Sequence, residues 1–131
     1  MPSLSKKQVE LLLEPHVAQF VTLMENGSPQ ISPVWVDTDG ENILVNTATG
    51  RLKTDNIKRD ARVAIAVFDP TNPYSRVVNI SGLVSDITES GAIDHINTLA
   101  KKYTGTQIYQ GHNSHETRLI VVIKPTTITG S

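Results

Sequence analysis

The fold and its site are indicated most directly by the stretch Asn46-Thr-Ala-Thr-Gly-Arg-Leu-Lys-Thr-Asp-Asn-Ile-Lys-Arg-Asp-Ala-Arg62. It follows the apolar run Ile43-Leu-Val45, which predicts a strand, and it begins with small hydroxylated residues and a glycine before it turns basic. Hydroxyl groups, backbone amides and the first turn of a helix can converge on one anion at such a junction. The stretch therefore predicts a strand, a loop and a helix arranged around a phosphate group.

Two cations carry most of this prediction. Arg51 and Lys53 stand two residues apart where the loop becomes a helix, so both can face a pocket in which Thr47 and Thr49 present hydroxyl groups. Lys58 and Arg59 follow within the helix, and the sequence leaves open whether they contact a ligand or form a solvated helix face.

Bulk properties set the outer limits. The 131 residues predict one domain over 1–131, and a net charge of -1 gives no overall attraction to nucleic acid or to a membrane surface. The chain has no cysteine, and its first residues lack the apolar core of a signal peptide. We therefore expect a cytoplasmic protein that binds neither nucleic acid nor membrane.

Apolar runs and turn signals predict a mainly β (α+β) fold, in which six strands form a small barrel with peripheral helices. The predicted strands are Val17–Met24, Gln30–Val36, Ile43–Thr47, Val63–Phe68, Arg76–Val84 and Leu119–Ile123. Ser5 and Gln8 match a capping box at the start of one helix, the basic stretch forms a second, and Ser90–Tyr103 predicts a third. Gly82 interrupts a strand and predicts a bulge or a close approach of two backbones.

Motifs for other chemistry are weak. His112, His115 and Glu116 lack a helical frame and a distant third ligand, so a solvated loop is favoured over a metal site. No nucleophile elbow presents a serine for attack, and His16 and His95 are single residues that need no special role. We predict no metal site, and the sequence assigns no catalytic residue.

Six pieces of the chain occur in a specific order: Ser28–Val36, Ile43–Lys53, Asn56–Arg62, Asp69–Tyr74, Ile80–Val84 and Leu99–Gly105. This ordered set resembles the split β-barrel flavoprotein superfamily, which includes pyridoxamine 5′-phosphate oxidase. More narrowly, it resembles the coenzyme F420-dependent branch of that superfamily. The resemblance implies an FMN-binding split-barrel fold and a homodimer that holds its cofactor in a groove between the subunits.

The resemblance also implies which residues contact the cofactor. Arg51 and Lys53 would bind its phosphate. Lys58, Arg59 and nearby Lys101 or Lys102 could form a cationic groove for an acidic tail. Residues beside the phosphate and ribityl chain would be Asn46, Thr47, Ala48 and Thr49. Residues at the ring system would be Gln30, Ser32, Pro33, Val34 and Trp35, with Tyr74 supplied by the partner subunit.

A flavin or deazaflavin carries the hydride itself, so the protein needs no nucleophile. The first hypothesis is an F420-dependent reductase of a small unsaturated organic acceptor. The alternatives are an FMN-dependent oxidoreductase and a non-catalytic cofactor carrier, because both cofactors bear a phosphate at the same end. A proton donor could be Tyr74, Tyr109, His112 or solvent. The C-terminal residues Ile123–Ser131 contain one lysine and no arginine, which argues against a vitamin B6 oxidase.

Overall fold

The computed structural model describes residues 2–130, in which three helices surround one antiparallel sheet of seven strands. The helices are α1 (Lys6–Leu13), α2 (Leu52–Arg59) and α3 (Ala92–Thr104). The strands are β1 (Ala18–Leu23), β2 (Pro29–Val34), β3 (Val36–Thr38), β4 (Ile43–Ala48), β5 (Arg62–Phe68), β6 (Val77–Thr88) and β7 (Arg118–Gly130). Their spatial order is β2-β1-β5-β6-β7-β4-β3.

This order shows that the sheet curls into a barrel. Strands β2 and β3 lie at opposite edges of the sheet, yet only Trp35 separates them along the chain. The Cα atoms of Val34 and Val36 can therefore be at most about 7 Å apart. A flat sheet of seven strands would separate its edges much further, so the two edges must approach each other, as the predicted split-barrel fold requires.

The predicted second strand, Gln30–Val36, is two strands in the structure. Residues up to Val34 pair with β1, and Val36 pairs with Val45 of β4. The ladder breaks at Trp35 because the chain leaves one edge for the other, and the backbone N–H of Val36 donates to the hydroxyl of Tyr103 at 3.0 Å. This split raises the strand number from the predicted six to seven.

Two strands run further than their apolar stretches predict. Strand β6 continues to Thr88 and β7 to Gly130, and they pair along most of their length. The residues of these strands beyond Val84 and Ile123 are mostly polar, so apolar content alone marked only the first part of each strand. The remaining residues of both strands are held in the sheet by the backbone pairing between β6 and β7.

The core fills the inside of the curled sheet. Its largest fully buried side chains include Phe20 of β1, Ile43 of β4 and Ile123 of β7. Helix α1 closes one end with Leu11 and Leu12, which are also fully buried.

The predicted capping box at the start of α1 is confirmed. The Ser5 hydroxyl accepts from the backbone N–H of Gln8 at 3.1 Å, and the Gln8 side chain accepts from Ser5 N–H at 2.8 Å.

The other two helices frame a gap beside Trp35. Helix α2 packs on β1, where Asn56 donates to the hydroxyl of Thr22 at 3.0 Å. Helix α3 packs on β4 and β7. Trp35 and the first residues of α2 and β7 therefore come together at one side of the barrel.

Among residues 2–130, no helix is both long and apolar enough to cross a bilayer. The cytoplasmic location remains a prediction from the sequence.

Gly82 lies at a bulge, as predicted. The register between β6 and β7 shifts between Ser81 and Gly82. A Cβ atom on Gly82 would lie 2.6 Å from the carbonyl oxygen of Lys124 and 2.9 Å from Cγ2 of Ile123. The backbones of the two longest strands can approach this closely only without a side chain at this position.

We therefore predict that Gly82→Ala lowers the free energy of unfolding by about 1–3 kcal/mol, because the new methyl group meets backbone that cannot move aside. Urea denaturation followed by circular dichroism measures the change. Ser81→Ala is the matched control, because Ser81 is exposed on the adjacent position of the same strand. Equal stability of Gly82→Ala and the wild type would contradict the close approach.

Candidate cofactor-binding site

A cavity of about 300 Å³ opens beside Trp35, and we refer to it as the Trp35 cavity. Its lining residues are Val17, Pro33, Val34, Trp35, Asn46, Arg51, Lys53, Ile96, Tyr109 and Arg118. They come from the β2–β3 junction, from β4, from the beginnings of α2 and β7, from α3, and from the connections that precede β1 and β7. The lining has an aromatic part and a cationic part.

The aromatic part is held rigidly around Trp35. The rings of Trp35 and Tyr103 stack with centroids 5.1 Å apart and planes 7° apart, and Tyr109 meets Trp35 edge-on at 5.8 Å. The Tyr103 hydroxyl is fixed in turn, since it donates to the carbonyl oxygen of His16 at 2.8 Å. Trp35 therefore offers the cavity a flat apolar surface whose orientation is set before any ligand arrives.

The cationic part contains Arg51, Lys53 and Arg118. Arg51 is the N-cap residue of α2, and Lys53 lies in the first turn of that helix. Burial lowers the pKa of Lys53, and the charges of Arg51 and Arg118 lower it further. The two charged groups that act on Lys53 are thus both positive.

Arg118 is the most buried of these cations, with only 5% of its surface exposed. Its Nε donates to Oδ1 of Asn46 at 2.9 Å, and its guanidinium carbon lies 5.1 Å from the centre of the Tyr109 ring. Its Nη1 is buried without a hydrogen-bond partner among residues 2–130, and the nearest carboxylate oxygen of Glu116 is 3.8 Å away. Burial also lowers the pKa of Arg118.

The charges of the described site do not balance. Glu116 is the one carboxylate that pairs with these cations in the described structure, and it lies 3.4 Å from Nη2 of Arg51. Three cations and one carboxylate leave an excess of two positive charges. Because a buried guanidinium nitrogen without an acceptor is costly, the site fits an anionic group that would complete it, and a phosphate has the matching charge and oxygen geometry.

Six of the residues predicted to contact the cofactor line the Trp35 cavity together. They are Pro33, Val34, Trp35, Asn46, Arg51 and Lys53. The structure thus brings together residues of the predicted ring-binding segment and of the predicted phosphate-binding stretch.

Three further predicted residues build the loop behind the cavity lining. The Thr47 hydroxyl lies 3.0 Å from the hydroxyl of Thr54, which donates to the carbonyl oxygen of Ala48 at 2.7 Å. The Thr49 hydroxyl accepts from the backbone N–H of Thr117 at 3.1 Å. These contacts fix the junction between β4 and α2, so the three residues determine where Arg51 and Lys53 lie.

The remaining predicted residues lie outside the cavity lining. Gln30 accepts from the hydroxyl of Thr22 at 3.0 Å, and the Ser32 hydroxyl is buried without a hydrogen bond in the described part of the chain. Lys58 is exposed in the last turn of α2. Tyr74 is 95% exposed in the connection between β5 and β6. Their roles at a cofactor remain predictions.

Sequence reasoning did not identify Arg118 as a site residue. The available signal was a single charged residue at the start of the apolar run Leu119–Ile123. Arg118 reaches the cavity because it pairs with Ala48 in the β4–β7 ladder, two positions along β4 from Asn46 and therefore on the same face of the sheet. His95 was also given no role, yet its ring contacts both Asn46 and Asp37.

One acidic cluster lies apart from the cavity. Ligand atoms of Glu14, His16 and Asp69 lie close enough together to hold a metal ion. Arg76 already forms ion pairs with both carboxylates, at 2.8 Å for Glu14, and these contacts explain why the pKa of Glu14 is lowered to about 2. The cluster is therefore an ion-pair network centred on Arg76.

The curled antiparallel sheet, with strands β2 and β3 at its two meeting edges, defines a split-barrel protein. The chain belongs to the pyridoxamine 5′-phosphate oxidase family, whose model matches residues 4–130. Membership of this family indicates an oxidoreductase with a flavin-type cofactor.

Solved structures agree with this assignment. An F420 reductase is 32% identical, with a TM-score of 0.81 over 92% of this chain and 94% of its own. A conserved hypothetical protein from Mycobacterium tuberculosis is 19% identical, with a TM-score of 0.74 over 95% of this chain and 82% of its own. General Stress Protein 26 from Bacillus anthracis is 15% identical, with a TM-score of 0.68 over 94% and 89%. The last two show the shared fold alone. No curated protein matches the chain.

We predict that Glu116→Gln strengthens binding of inorganic phosphate, because it removes the carboxylate that competes for Arg51 and Arg118 while keeping its shape. The expected gain is about 1 kcal/mol, or roughly fivefold in affinity, as for a partly exposed ion pair. Isothermal titration calorimetry measures it. Glu41→Gln, in the exposed turn between β3 and β4, should behave as the wild type. Weaker phosphate binding by Glu116→Gln would show that Glu116 positions the cations for the anion instead of competing with it.

Proposed function

We propose that this protein is a coenzyme F420-dependent reductase that passes a hydride from the reduced deazaflavin to a small unsaturated organic acceptor. The observation that carries the proposal is the buried Nη1 of Arg118, which has no hydrogen-bond partner in the described structure and lines the same cavity as Arg51, Lys53 and the flat surface of Trp35. An elongated ligand with a planar ring and an anionic end matches both parts. The similarity to an F420 reductase over most of both chains favours the deazaflavin.

When bound, F420 supplies the hydride, and the residues of this chain hold and orient it. Arg51, Lys53 and Arg118 would hold the phosphate, and its negative charge would favour the protonated form of Lys53. Trp35, Pro33 and Val34 would supply the apolar wall for the ring system and keep water away from it. Lys58, on the exposed surface of α2, is available to an acidic tail that leaves the cavity.

Reduction of an unsaturated bond by hydride also requires a proton. Of the side chains considered from the sequence, Tyr109 lines the cavity, and its backbone N–H donates to Oδ1 of Asn97 at 2.8 Å, which anchors it there. His112 contacts the Tyr109 ring edge-on at 5.3 Å, and Tyr74 lies on the exposed surface of the same chain. We assign Tyr109 as the proton donor to the acceptor.

Titration with F420 and with FMN, followed by fluorescence, tests the choice of cofactor. We expect F420 to bind more tightly, and reduced F420 to be reoxidised by members of a panel of enones and quinones. Tighter FMN binding would instead support an FMN-dependent oxidoreductase. Tight F420 binding without turnover of any acceptor would support a non-catalytic cofactor carrier.

Tyr109→Phe should lower turnover by about 100-fold while leaving F420 affinity within a few-fold, as expected for loss of a general acid.

We also propose that the protein acts as a homodimer, with the cofactor between the subunits. The face of the sheet opposite the core carries a shallow trough of about 370 Å³, lined in part by Val21, Ile31, Ala64 and Ala66. Ile31 is 63% exposed there, and small alanine side chains allow a second surface to approach closely. Tyr74 is also exposed. In such a dimer, the Tyr74 side chain that reaches a given cofactor would come from the partner subunit.

Light scattering should give the mass of a dimer for the wild type. Ile31→Glu should give a monomer with weaker cofactor binding, because it places a charge in the proposed interface. Ile93→Glu is the matched control, since Ile93 is similarly exposed, at 50%, on α3. A wild-type monomer that binds the cofactor with full affinity would contradict the shared groove.

A further inference from the structure

Four side chains form a continuous hydrogen-bonded chain that ends in the Trp35 cavity. Asp37 Oδ2 lies 3.0 Å from Nε2 of His95, His95 Nδ1 lies 3.1 Å from Nδ2 of Asn46, and Asn46 Oδ1 lies 2.9 Å from Nε of Arg118. We propose that His95 is a positioning residue. With its single proton on Nε2, His95 accepts a hydrogen bond from Asn46, and Asn46 in turn orients Arg118 toward the bound anion. A second proton, on Nδ1 of His95, breaks the hydrogen bond to Asn46. The proposal rests on the proposed function in that the anion is the phosphate of the cofactor.

The orientation of the Asn46 amide is fixed by partners that can each play only one role. Nε of Arg118 can only donate a hydrogen bond, and the carbonyl oxygen of Ala92, 2.9 Å from Asn46 Nδ2, can only accept one. The Asn46 oxygen must therefore face Arg118, and its nitrogen must face α3. Of the two hydrogens on that nitrogen, one goes to Ala92 and the other is left for His95.

This orientation fixes the proton on His95. Because Asn46 donates to Nδ1, that ring nitrogen must act as an acceptor and carries no proton in this arrangement. The proton of the neutral ring is therefore on Nε2, which donates to the carboxylate of Asp37. His95 lies in the first turn of α3, so the helix holds the ring against both partners.

A second proton on His95 would place an N–H group against the N–H of Asn46. The clash is relieved if the Asn46 amide turns over, but its nitrogen then faces Nε of Arg118, which is also a donor. Nε is the nitrogen through which Asn46 holds Arg118, while Nη1 has no hydrogen-bond partner in the described structure. The guanidinium group of Arg118 would lose its alignment and would bind the phosphate more weakly.

The charged groups around His95 act in opposite directions on its second proton. Asp37 from β3 favours that proton. Burial raises the pKa of Asp37, but hydrogen bonds from His95 and from the backbone N–H of Thr38 outweigh burial and keep the carboxylate ionised. Lys102, on the same helix as His95, interacts with Asp37 and weakens its effect. Arg118 from β7, which His95 contacts through Asn46, disfavours the second proton because it is also positively charged.

Nuclear magnetic resonance of the cofactor-free protein tests the proton position directly. Long-range ¹H–¹⁵N correlations of the imidazole rings, assigned by the signals missing in His95→Gln, should show the Nε2–H form of His95 at about pH 8. An Nδ1–H form would overturn the proposal. This readout needs no bound cofactor, so its failure is distinct from a failure of F420 dependence.

The dependence of cofactor affinity on pH tests the consequence. Between about pH 8 and about pH 5.5, a range in which imidazoles take up their second proton, wild-type F420 affinity should fall about tenfold more than that of His95→Gln. Titration of the ligand's own phosphate affects both proteins equally and cancels in the comparison. His16→Gln is the control, because His16 contacts Glu14 outside the cavity, and it should follow the wild type.

Asp37→Asn gives an independent signature. Loss of the carboxylate removes the group that favours the second proton, so the acid-induced loss of affinity should shift to lower pH. A purely structural role for His95 would not move this profile. Parallel pH profiles for the wild type and His95→Gln, or an unshifted profile for Asp37→Asn, would overturn the proposal. If neither F420 nor FMN binds the wild type, the proposed function fails while the proton position remains measurable.

Discussion

The structure depends on the single residue that joins the two edges of the sheet. Trp35 separates β2 from β3, which stand at opposite ends of the strand order, so the sheet must close at this point. Closure turns one face of every strand inward, which creates the core that Phe20, Ile43 and Ile123 fill. It also leaves Trp35 outside the regular ladder, where its ring stacks on Tyr103 and becomes one wall of the cavity. The constraint that closes the barrel thus also builds the site.

The site combines this rigid apolar wall with positive charge that the described protein does not neutralise. Arg118 is buried with one unpaired nitrogen, and Lys53 has a lowered pKa. Such groups lower the stability of a protein in the absence of a ligand, because buried charge is costly without a partner. An anion that binds the folded state alone would recover this free energy, so cofactor binding and folding stability should be linked. In this respect the cavity resembles other sites that exchange stability for function.

The class of fold and two segments that line the cavity, one around Trp35 and one around Arg51, were predicted from the sequence, and the second could be predicted for local reasons. The stretch from Asn46 to Arg62 contains its own strand end, loop and helix start, so Arg51 and Lys53 could be placed without knowledge of the tertiary structure. The division of the second strand at Trp35 could not be predicted, because it depends on which edge each half joins. Arg118 was missed since it reaches Asn46 across the β4–β7 ladder, from a position 72 residues away. The partners of His95 are equally distant, with Asp37 58 residues and Asn46 49 residues away along the chain. Residues whose roles depend on distant pairing leave no pattern in a single sequence.

The central claim is that the cationic part of the Trp35 cavity binds the phosphate of a cofactor whose ring lies against the aromatic part. The most direct test compares the affinity of the protein for F420 with its affinity for the same deazaflavin and ribityl chain without the phosphate and tail. If three cations bind the phosphate, each with a charged hydrogen bond, the phosphate-free compound should bind at least about 100-fold more weakly. Equal affinities for the two compounds would contradict the account, because Arg51, Lys53 and Arg118 would then contribute nothing to binding.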